Sequence, residues 1–284
     1  EADLPRRRLV LALALAPALA LAQGAKEEFQ PRVGQEGKDV IWVPTPDSAV
    51  ERMLQMAQVK PGDFVVDLGS GDGRTVIAAA KKFGAKSLGI EFNPDMVALS
   101  RRNAEKEGVA ETAKFVEGDI FKSDFSGATV VTMYLLDDLN LKLRPRLLEM
   151  RPGTRIASHD FDMGDWEPND RSVVNHDTAY LWIVPAKVGG DWKLGVDLGG
   201  AEEAVLKISQ KYQKIEGTLV ATTSQLTLRN PVLSGDGIRF SLVDHRGVLR
   251  EFSGRVHGGV ISGSMRADGK PAGQFRARRV STPG

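Results

Sequence analysis

The chain contains no cysteine. Disulfides, thiolate zinc sites and cysteine nucleophiles are therefore excluded. The compartment is not fixed by this, because exported proteins can also lack cysteine. Histidine is scarce, and His159, His176, His245 and His257 show no metal-ligand spacing, so no metal site is expected. Net charge is almost absent: a formal +1 gives no overall reason to expect nucleic acid or an anionic membrane as partner. What remains is a globular composition, 42% apolar and 26% charged over 284 residues. That length suffices for one large domain or two ordinary ones.

The N-terminus is unlike the rest. Arg6-Arg7-Arg8 precede a 14-residue Leu/Ala run, Leu9 to Ala22, interrupted only by Pro17. A basic head, a short apolar middle and the small-x-small end Ala20-Leu21-Ala22 read as a secretory signal cleaved after Ala22. The alternatives are an uncleaved anchor or an organelle-targeting peptide. The arginine pair also gives a weak twin-arginine match. Removing residues 1–22 leaves 35 basic and 35 acidic residues.

Residues 23–39 read as a linker. From 40 to 187 short β-like runs alternate with helical ones. Strands are expected at Phe64–Leu68, Ser87–Phe92, Lys114–Glu117, Ala128–Leu135 and Arg155–Phe161. Helices are expected at Thr75–Phe83, stopped by Gly84, and from Asn93-Pro94 to Gly108. Leu139–Met150 is a further helix, expected to kink or break at Pro145. This alternation predicts an α/β, doubly wound Rossmann-like sheet. From 188 to 284 glycines punctuate short alternating runs such as DGIRFSLV and QFRARRV. They predict a small antiparallel all-β domain, a meander or barrel, with turns at Gly235-Asp236-Gly237 and Asp268-Gly269-Lys270-Pro271. Gly189-Gly190 and Gly199-Gly200 are candidate hinges. The phrase SG recurs in SGDGI, SGRVH and SGSMR without a solenoid's fixed period.

The most informative stretch is VVDLGSGDGR, residues 65–74. A glycine-rich turn from a parallel strand into a helix lies at the carboxyl edge of the sheet, where open α/β sheets bind ligands. Glycine there permits close backbone approach or positive φ. The spacing Gly69, Gly71, Gly73, with arginine at 74, does not fit G-x-G-x-x-G, and no Gly-Lys-Ser/Thr follows for a P-loop.

The run Asp67-Leu68-Gly69-Ser70-Gly71-Asp72-Gly73 instead resembles motif I of the class I, seven-strand S-adenosylmethionine-dependent methyltransferases. The resemblance implies a loop cradling the methionine part of S-adenosyl-L-methionine, with Asp67 near its ammonium end. It implies an acid for the ribose hydroxyls, which Glu91 supplies, and one near the adenine, which Asp119 supplies. With Val43-Pro44-Thr45-Pro46 and HDFDMGDWEPND, residues 40–186 look like the mitochondrial ATP synthase c-subunit and adenine nucleotide translocase lysine N-methyltransferases and their bacterial relatives. The cofactor-binding set so implied is Thr45, Asp67, Gly69, Ser70, Gly71, Asp72, Gly73, Glu91, Phe92, Asn93, Asp119 and Ile120. Asp72 as a helix cap and Asp119 as a turn residue remain the plainer alternatives.

Methyl transfer from a sulfonium is an in-line displacement in which alignment supplies most of the rate. A lysine acceptor must first lose a proton, which desolvation in an apolar, aromatic-lined channel favours. Tyr134, at the end of the fourth strand, is the candidate for orienting the nucleophile. His159, Phe161 and Trp166 are candidates for the acceptor wall, with core packing the alternative for Trp166. An Asn-Pro-Pro-Tyr-like sequence is absent, and no basic face is evident, so nucleic acid is not expected as a partner. The expected acceptor is a protein lysine. The alternatives are a small molecule, with the β domain as substrate module, or a noncatalytic cofactor-fold binding protein. The N-terminal segment implies export or membrane proximity, in tension with cofactor supply.

Overall fold

The computed structural model describes residues 29–195, 204–222 and 224–280. The expected leader and Gly199-Gly200 lie outside these residues. Among the described residues no helix is long and apolar enough to cross a membrane.

The first sheet contains β1 (Phe64–Leu68), β2 (Lys86–Glu91), β3 (Ala113–Glu117), β4 (Val130–Met133), β5 (Arg155–His159), β6 (Asp170–Val174) and β7 (Asp177–Ile183). Their order is β3-β2-β1-β4-β5-β7-β6. β1 to β5 run parallel, and β7 is antiparallel to β5 and β6. Val65, Val66 and Leu68 in central β1 are fully buried, which is why the strand reads as a continuous apolar run. The helices are α1 (Asp47–Met56), α2 (Arg74–Phe83), α3 (Pro94–Lys106) and α4 (Asp137–Leu148). Asn93 accepts from the Asp95 and Met96 N–H groups and fixes the start of α3. Of the kink or break expected at Pro145, the break does not occur: α4 runs on to Leu148. Leu143 and Leu147 hold it fully buried on either side, and the Arg146 guanidinium donates to the Ile120 and Ser123 carbonyls.

The hairpin β6–β7 was not legible in the sequence. Its two turn residues, Asn175 and His176, have φ of 50° and 78°, the left-handed pair that a two-residue hairpin requires.

The second sheet is entirely antiparallel: β8 (Gly190–Gly195), β9 (Ala204–Lys211), β10 (Lys214–Val220), β11 (Gln225–Thr227), β12 (Arg229–Ser234), β13 (Gly237–Val243), β14 (Leu249–His257), β15 (Val260–Ala267) and β16 (Lys270–Arg279). Its order is β11-β10-β9-β8-β16-β15-β14-β13-β12. The two edge strands, β11 and β12, are separated by Leu228 alone. One extended run thus pairs with β10 at its start and with β13 at its end. This nearly closes the sheet into a barrel. The interior is a cluster of Phe240, Phe252 and Phe275, with ring centroids 4.7 Å apart for the first pair and 5.2 Å for Phe252–Phe275. Two of the recurring SG phrases now have a cause. Gly254 and Gly263 pair across β14 and β15, and a Cβ on Gly254 would lie 2.8 Å from the Phe275 ring. Gly254 makes room for that phenylalanine, and Gly263 lets the β14 backbone come close.

Charge is segregated along the chain. Residues 188–284 carry 14 basic and 9 acidic side chains, whereas residues 23–187 carry 21 and 26. Strand alternation sends Phe and Ile inward and leaves Arg239, Arg266, Arg276 and Arg278 exposed on the barrel's outer face. None of the four has an ion-pair partner among the described residues. The neutral total thus conceals a modest basic excess in the C-terminal unit.

Where the two sheets meet, the β9–β10 turn packs on the loop after β5. Trp166, completely buried, stacks on Tyr212 at 5.9 Å and donates its indole N–H to Gln213 at 3.0 Å. Asp165 takes hydrogen bonds from Arg144 and the Tyr212 hydroxyl and pairs with Lys211. Those partners, Lys211 foremost, hold its carboxyl down at about 2.

Candidate active site

Strand order reverses between β1 and β4, the position where doubly wound sheets open a crevice at their carboxyl edge. A cleft of about 1030 Å³, open mouth included, lies there. It is lined by Thr45, Asp67, Gly69, Ser70, Gly71, Asp72, Glu91, Phe92, Asn93, Asp119, Ile120 and Tyr134, among others. One further member of the implied set, Gly73, is not at its wall.

The three glycines do different work. Gly71 has φ of 53°, and a Cβ there would meet the Trp42 indole nitrogen at 2.7 Å. Gly73 has φ of 84°, and its Cβ would strike the Phe115 ring at 2.7 Å and Ser100 at 2.9 Å. Gly73 therefore seats α2 against α3 and β3, and only the first two glycines face the cleft. Asp72 is not a free cap. It makes a two-pronged pair with Arg74, whose guanidinium also donates to the Thr45 carbonyl at 3.0 Å. The arginine that spoiled the dinucleotide spacing thus stitches the loop to the segment before α1.

Three carboxylates stand at the ends of successive strands. Asp67, in β1, is buried and accepts from the Thr132 hydroxyl at 2.6 Å. Burial above all pushes its pKa up to about 7, and the charges of Glu91 and Asp72 add to the rise. Glu91, ending β2, accepts the Gly71 N–H at 2.9 Å and the Asn93 N–H at 3.0 Å, so the acid braces the glycine loop. Asp119, after β3, accepts from Lys38 Nζ at 2.8 Å and from the Phe121 N–H at 2.9 Å. The Lys38 hydrogen bond holds its carboxyl below the usual range. Lys38 also lies 5.0 Å over the half-exposed Phe92 ring. It belongs to a short turn bridged at Glu36 and Ile41 that, with Trp42, roofs the cleft. Sequence reading missed Lys38 and Trp42, because nothing in a linker-like stretch announces a long-range partner.

The donors suit an S-adenosylmethionine-like guest: buried acid, loop without side chains at its inner turns, second acid beside an exposed ring. The buried Ser70 hydroxyl packs against Gly89 and has no hydrogen-bond partner among the described residues.

At the far wall, Tyr134 follows β4. Its ring centroid lies 4.0 Å from His159 and 5.9 Å from Phe161. Its hydroxyl has no hydrogen bond within the described protein. Burial first, then the charges of Asp160 and Asp177, raise its pKa. His159 is 1% exposed, with Nε2 3.1 Å from Asp177 Oδ1 and 3.5 Å from Asp160 Oδ2. The three groups converge within 4.8 Å, a His/Asp/Asp cluster that histidine spacing along the chain did not show. A buried network holds this corner: Asn140 donates to Ser158 and to the Phe161 and Asp162 carbonyls. Neither His159 nor Phe161 lines the cleft itself; both stand behind Tyr134. Trp166 does not wall the acceptor pocket. It is spent on the junction with the barrel, where its large apolar surface is fully covered.

The sheet order, the glycine loop and the strand-end acids define a seven-strand S-adenosylmethionine-dependent methyltransferase. Comparison with known proteins agrees. Residues 67–170 match the model of the ANTKMT methyltransferase domain. A protein-lysine N-methyltransferase of Saccharolobus islandicus is 45% identical over 152 residues, 51% of this chain and 94% of the relative. The human lysine N-methyltransferase of the ATP synthase c-subunit is 35% identical over 142 residues, half of this chain but only 60% of its own length. A solved structure from Salinibacter ruber, described as an RNA methyltransferase and bound to S-adenosyl-L-homocysteine, is 51% identical with a TM-score of 0.51. The alignment covers 51% of this chain and 96% of that one. The chain belongs to the methyltransferase family that the Saccharolobus lysine enzyme represents.

Proposed function

We propose that this enzyme methylates the side-chain nitrogen of a protein lysine, with Tyr134 orienting the nucleophile. The observation that carries the reading is Tyr134 at the wall of the cofactor cleft, its ring backed by His159 and Phe161. Bound S-adenosylmethionine would supply a methyl group on a positively charged sulfur. Asp67 would face its ammonium group, Glu91 its ribose, and Asp119 with Phe92 and Ile120 its adenine. Thr45, Ser70, Asp72 and Asn93 complete the wall. The roof from Gln35 to Thr45 keeps water from the reacting atoms. Tyr134 aligns the acceptor nitrogen, and its aromatic neighbours favour the neutral amine by excluding water.

The similarity to lysine methyltransferases supports this acceptor. A second reading, RNA as acceptor, draws on the exposed arginines of the barrel and the description of the Salinibacter relative. Radiolabelled transfer from S-adenosylmethionine to poly-L-lysine and to total RNA separates them. Label on poly-L-lysine, located on Nζ by mass spectrometry, is the expected result; label on RNA alone would refute the lysine reading. We also propose that Leu9–Ala22 carries the enzyme to or across a membrane, by cleavage or as an anchor.

A further inference from the structure

We propose that Lys38 is a positioning residue for the cofactor: bonded to Asp119, it fastens the roof over the adenine end of the cleft and slows cofactor release. The inference rests on the adenine placement proposed for Asp119 and Phe92, and is independent of the acceptor. Three observations carry it. Residues 34–42 form a short hairpin closed on itself. The Gly34 N–H donates to the Trp42 carbonyl at 2.8 Å, the Trp42 N–H to the Gln35 carbonyl at 2.9 Å and the Gly37 N–H to the Val40 carbonyl at 3.0 Å. The C-terminal side of this hairpin is held at Thr45, whose carbonyl accepts from the Arg74 guanidinium at 3.0 Å. The tip reaches the sheet through Lys38, whose Nζ lies 2.8 Å from Asp119 Oδ2 and 5.0 Å over the Phe92 ring. Among the described residues, 36–41 make no other ion pair with the sheet.

Lys38 therefore touches the two side chains that face the adenine. A carboxylate offers about four lone-pair sites. Asp119 Oδ1 takes the Phe121 N–H and Oδ2 takes Lys38, so each oxygen keeps a site for a further donor. The ammonium group and the amino group of an adenine can share this carboxylate rather than exchange on it. Asp39 Oδ2, 3.6 Å from Lys38 Nζ, and Lys122 Nζ, 4.0 Å from Asp119 Oδ2, are the other charges at the pair. Side-chain exposures of 32% for Lys38 and 14% for Asp119 leave the pair at the cleft's edge, weak enough to open at each exchange and screened by salt. The roof is thus hinged at Thr45 and latched at Lys38, and one carboxylate serves both the latch and the guest.

The test follows S-adenosylhomocysteine on and off the full chain by stopped-flow tryptophan fluorescence. Lys38→Met keeps an unbranched side chain and removes the charge. It should raise the release rate about threefold to fivefold, the worth of a partly exposed pair, with little change in the association rate. Lys38→Arg should restore slow release. Added salt should speed release from wild type more than from Lys38→Met, a difference that a mere packing defect would not produce. In a double-mutant cycle, Lys38→Met should add nothing to Asp119→Asn, because the latch has then already lost its charged partner. Bound S-adenosylhomocysteine should protect Lys38 from acetic anhydride, read by mass spectrometry. Greater labelling in the complex would mean that the guest displaces the lysine, and would overturn the latch. An unchanged release rate in Lys38→Met, alongside weakened binding in Asp119→Asn, overturns the latch and leaves the adenine placement standing. Unaltered S-adenosylhomocysteine affinity in Asp119→Asn removes the adenine placement and the latch with it.

Discussion

Asp67→Asn should have opposite consequences for the empty and the loaded enzyme. In the folded chain the Asp67 carboxyl titrates near 7, against an unfolded value of 3.8. A raised carboxyl pKa means that the folded state holds its proton more tightly than the unfolded chain. The associated stability is fully present below about pH 4 and is lost as pH rises through 7. A gap of about three units corresponds to roughly 4 kcal/mol between the two ends of that window. Asparagine keeps the shape and can still accept from Thr132, but carries no charge. The empty variant should therefore lack the wild-type decline in Tm between pH 4 and 7, and should melt several degrees higher at pH 8. Cofactor binding should move the other way. A cationic amino group beside Asp67 favours the ionised carboxylate, so at pH 7 wild type should release about half a proton on binding. Calorimetric titration in two buffers of different ionisation enthalpy reads that number directly. Wild-type affinity should fall about tenfold per pH unit below 7, and the variant's affinity should be lower and flat. Equal buffer dependence in the two proteins, with parallel affinity profiles, would refute the placement of the ammonium group at Asp67.

Gly71→Val should abolish S-adenosylmethionine binding, because the new side chain meets Trp42 and strains a residue at φ of 53°, while the near-ultraviolet circular dichroism of the barrel is kept. Glu91→Ala should weaken cofactor binding by about 1.5–3 kcal/mol by calorimetry; a smaller loss would mean that the acid only braces Gly71 and Asn93. Trp166→Ala should cost about 3–5 kcal/mol in denaturant unfolding without changing cofactor affinity, as expected of a junction residue rather than an acceptor contact. Sequencing the mature N-terminus from isolated cells should begin at Gln23; an intact Leu9–Ala22 segment would instead establish an anchor.

Much of the first sheet was legible because its signals are local. Asn93-Pro94 and Gly84 bound their helices through side-chain and backbone chemistry that a few residues contain. The DLGSGDG run carried its own geometry in the same way. The β6–β7 hairpin was not legible, since Asn175-His176 is an uncommon turn pair and β6 is mostly exposed. Pro145 does not end its helix, because Leu143 and Leu147, buried on either side of it, offset the missing hydrogen bond. At the site, Asp67, Glu91 and Asp119 could be found as strand-end acids. Lys38, Trp42 and Asp177 could not, because each acts through a partner distant in sequence. The basic excess of the C-terminal unit was hidden by summation: a balanced total says nothing about how charge divides along the chain.

The first and last strands of the barrel, β8 and β16, are hydrogen-bonded neighbours. The Arg279 guanidinium near the end of β16 donates to the carbonyls of Lys187 and Gly189 and lies 4.3 Å over the Trp192 ring. The chain therefore goes into this unit and comes out of it at a single seam. A unit of that kind can be added to a parent or taken away without leaving distant ends to rejoin. The match to the family model stops at residue 170, before the seam is reached. The barrel thus lies outside the matched region and is closed on itself where it joins the methyltransferase sheet. The seam is where an engineer could cut or replace the barrel while leaving the strands that carry the cleft alone.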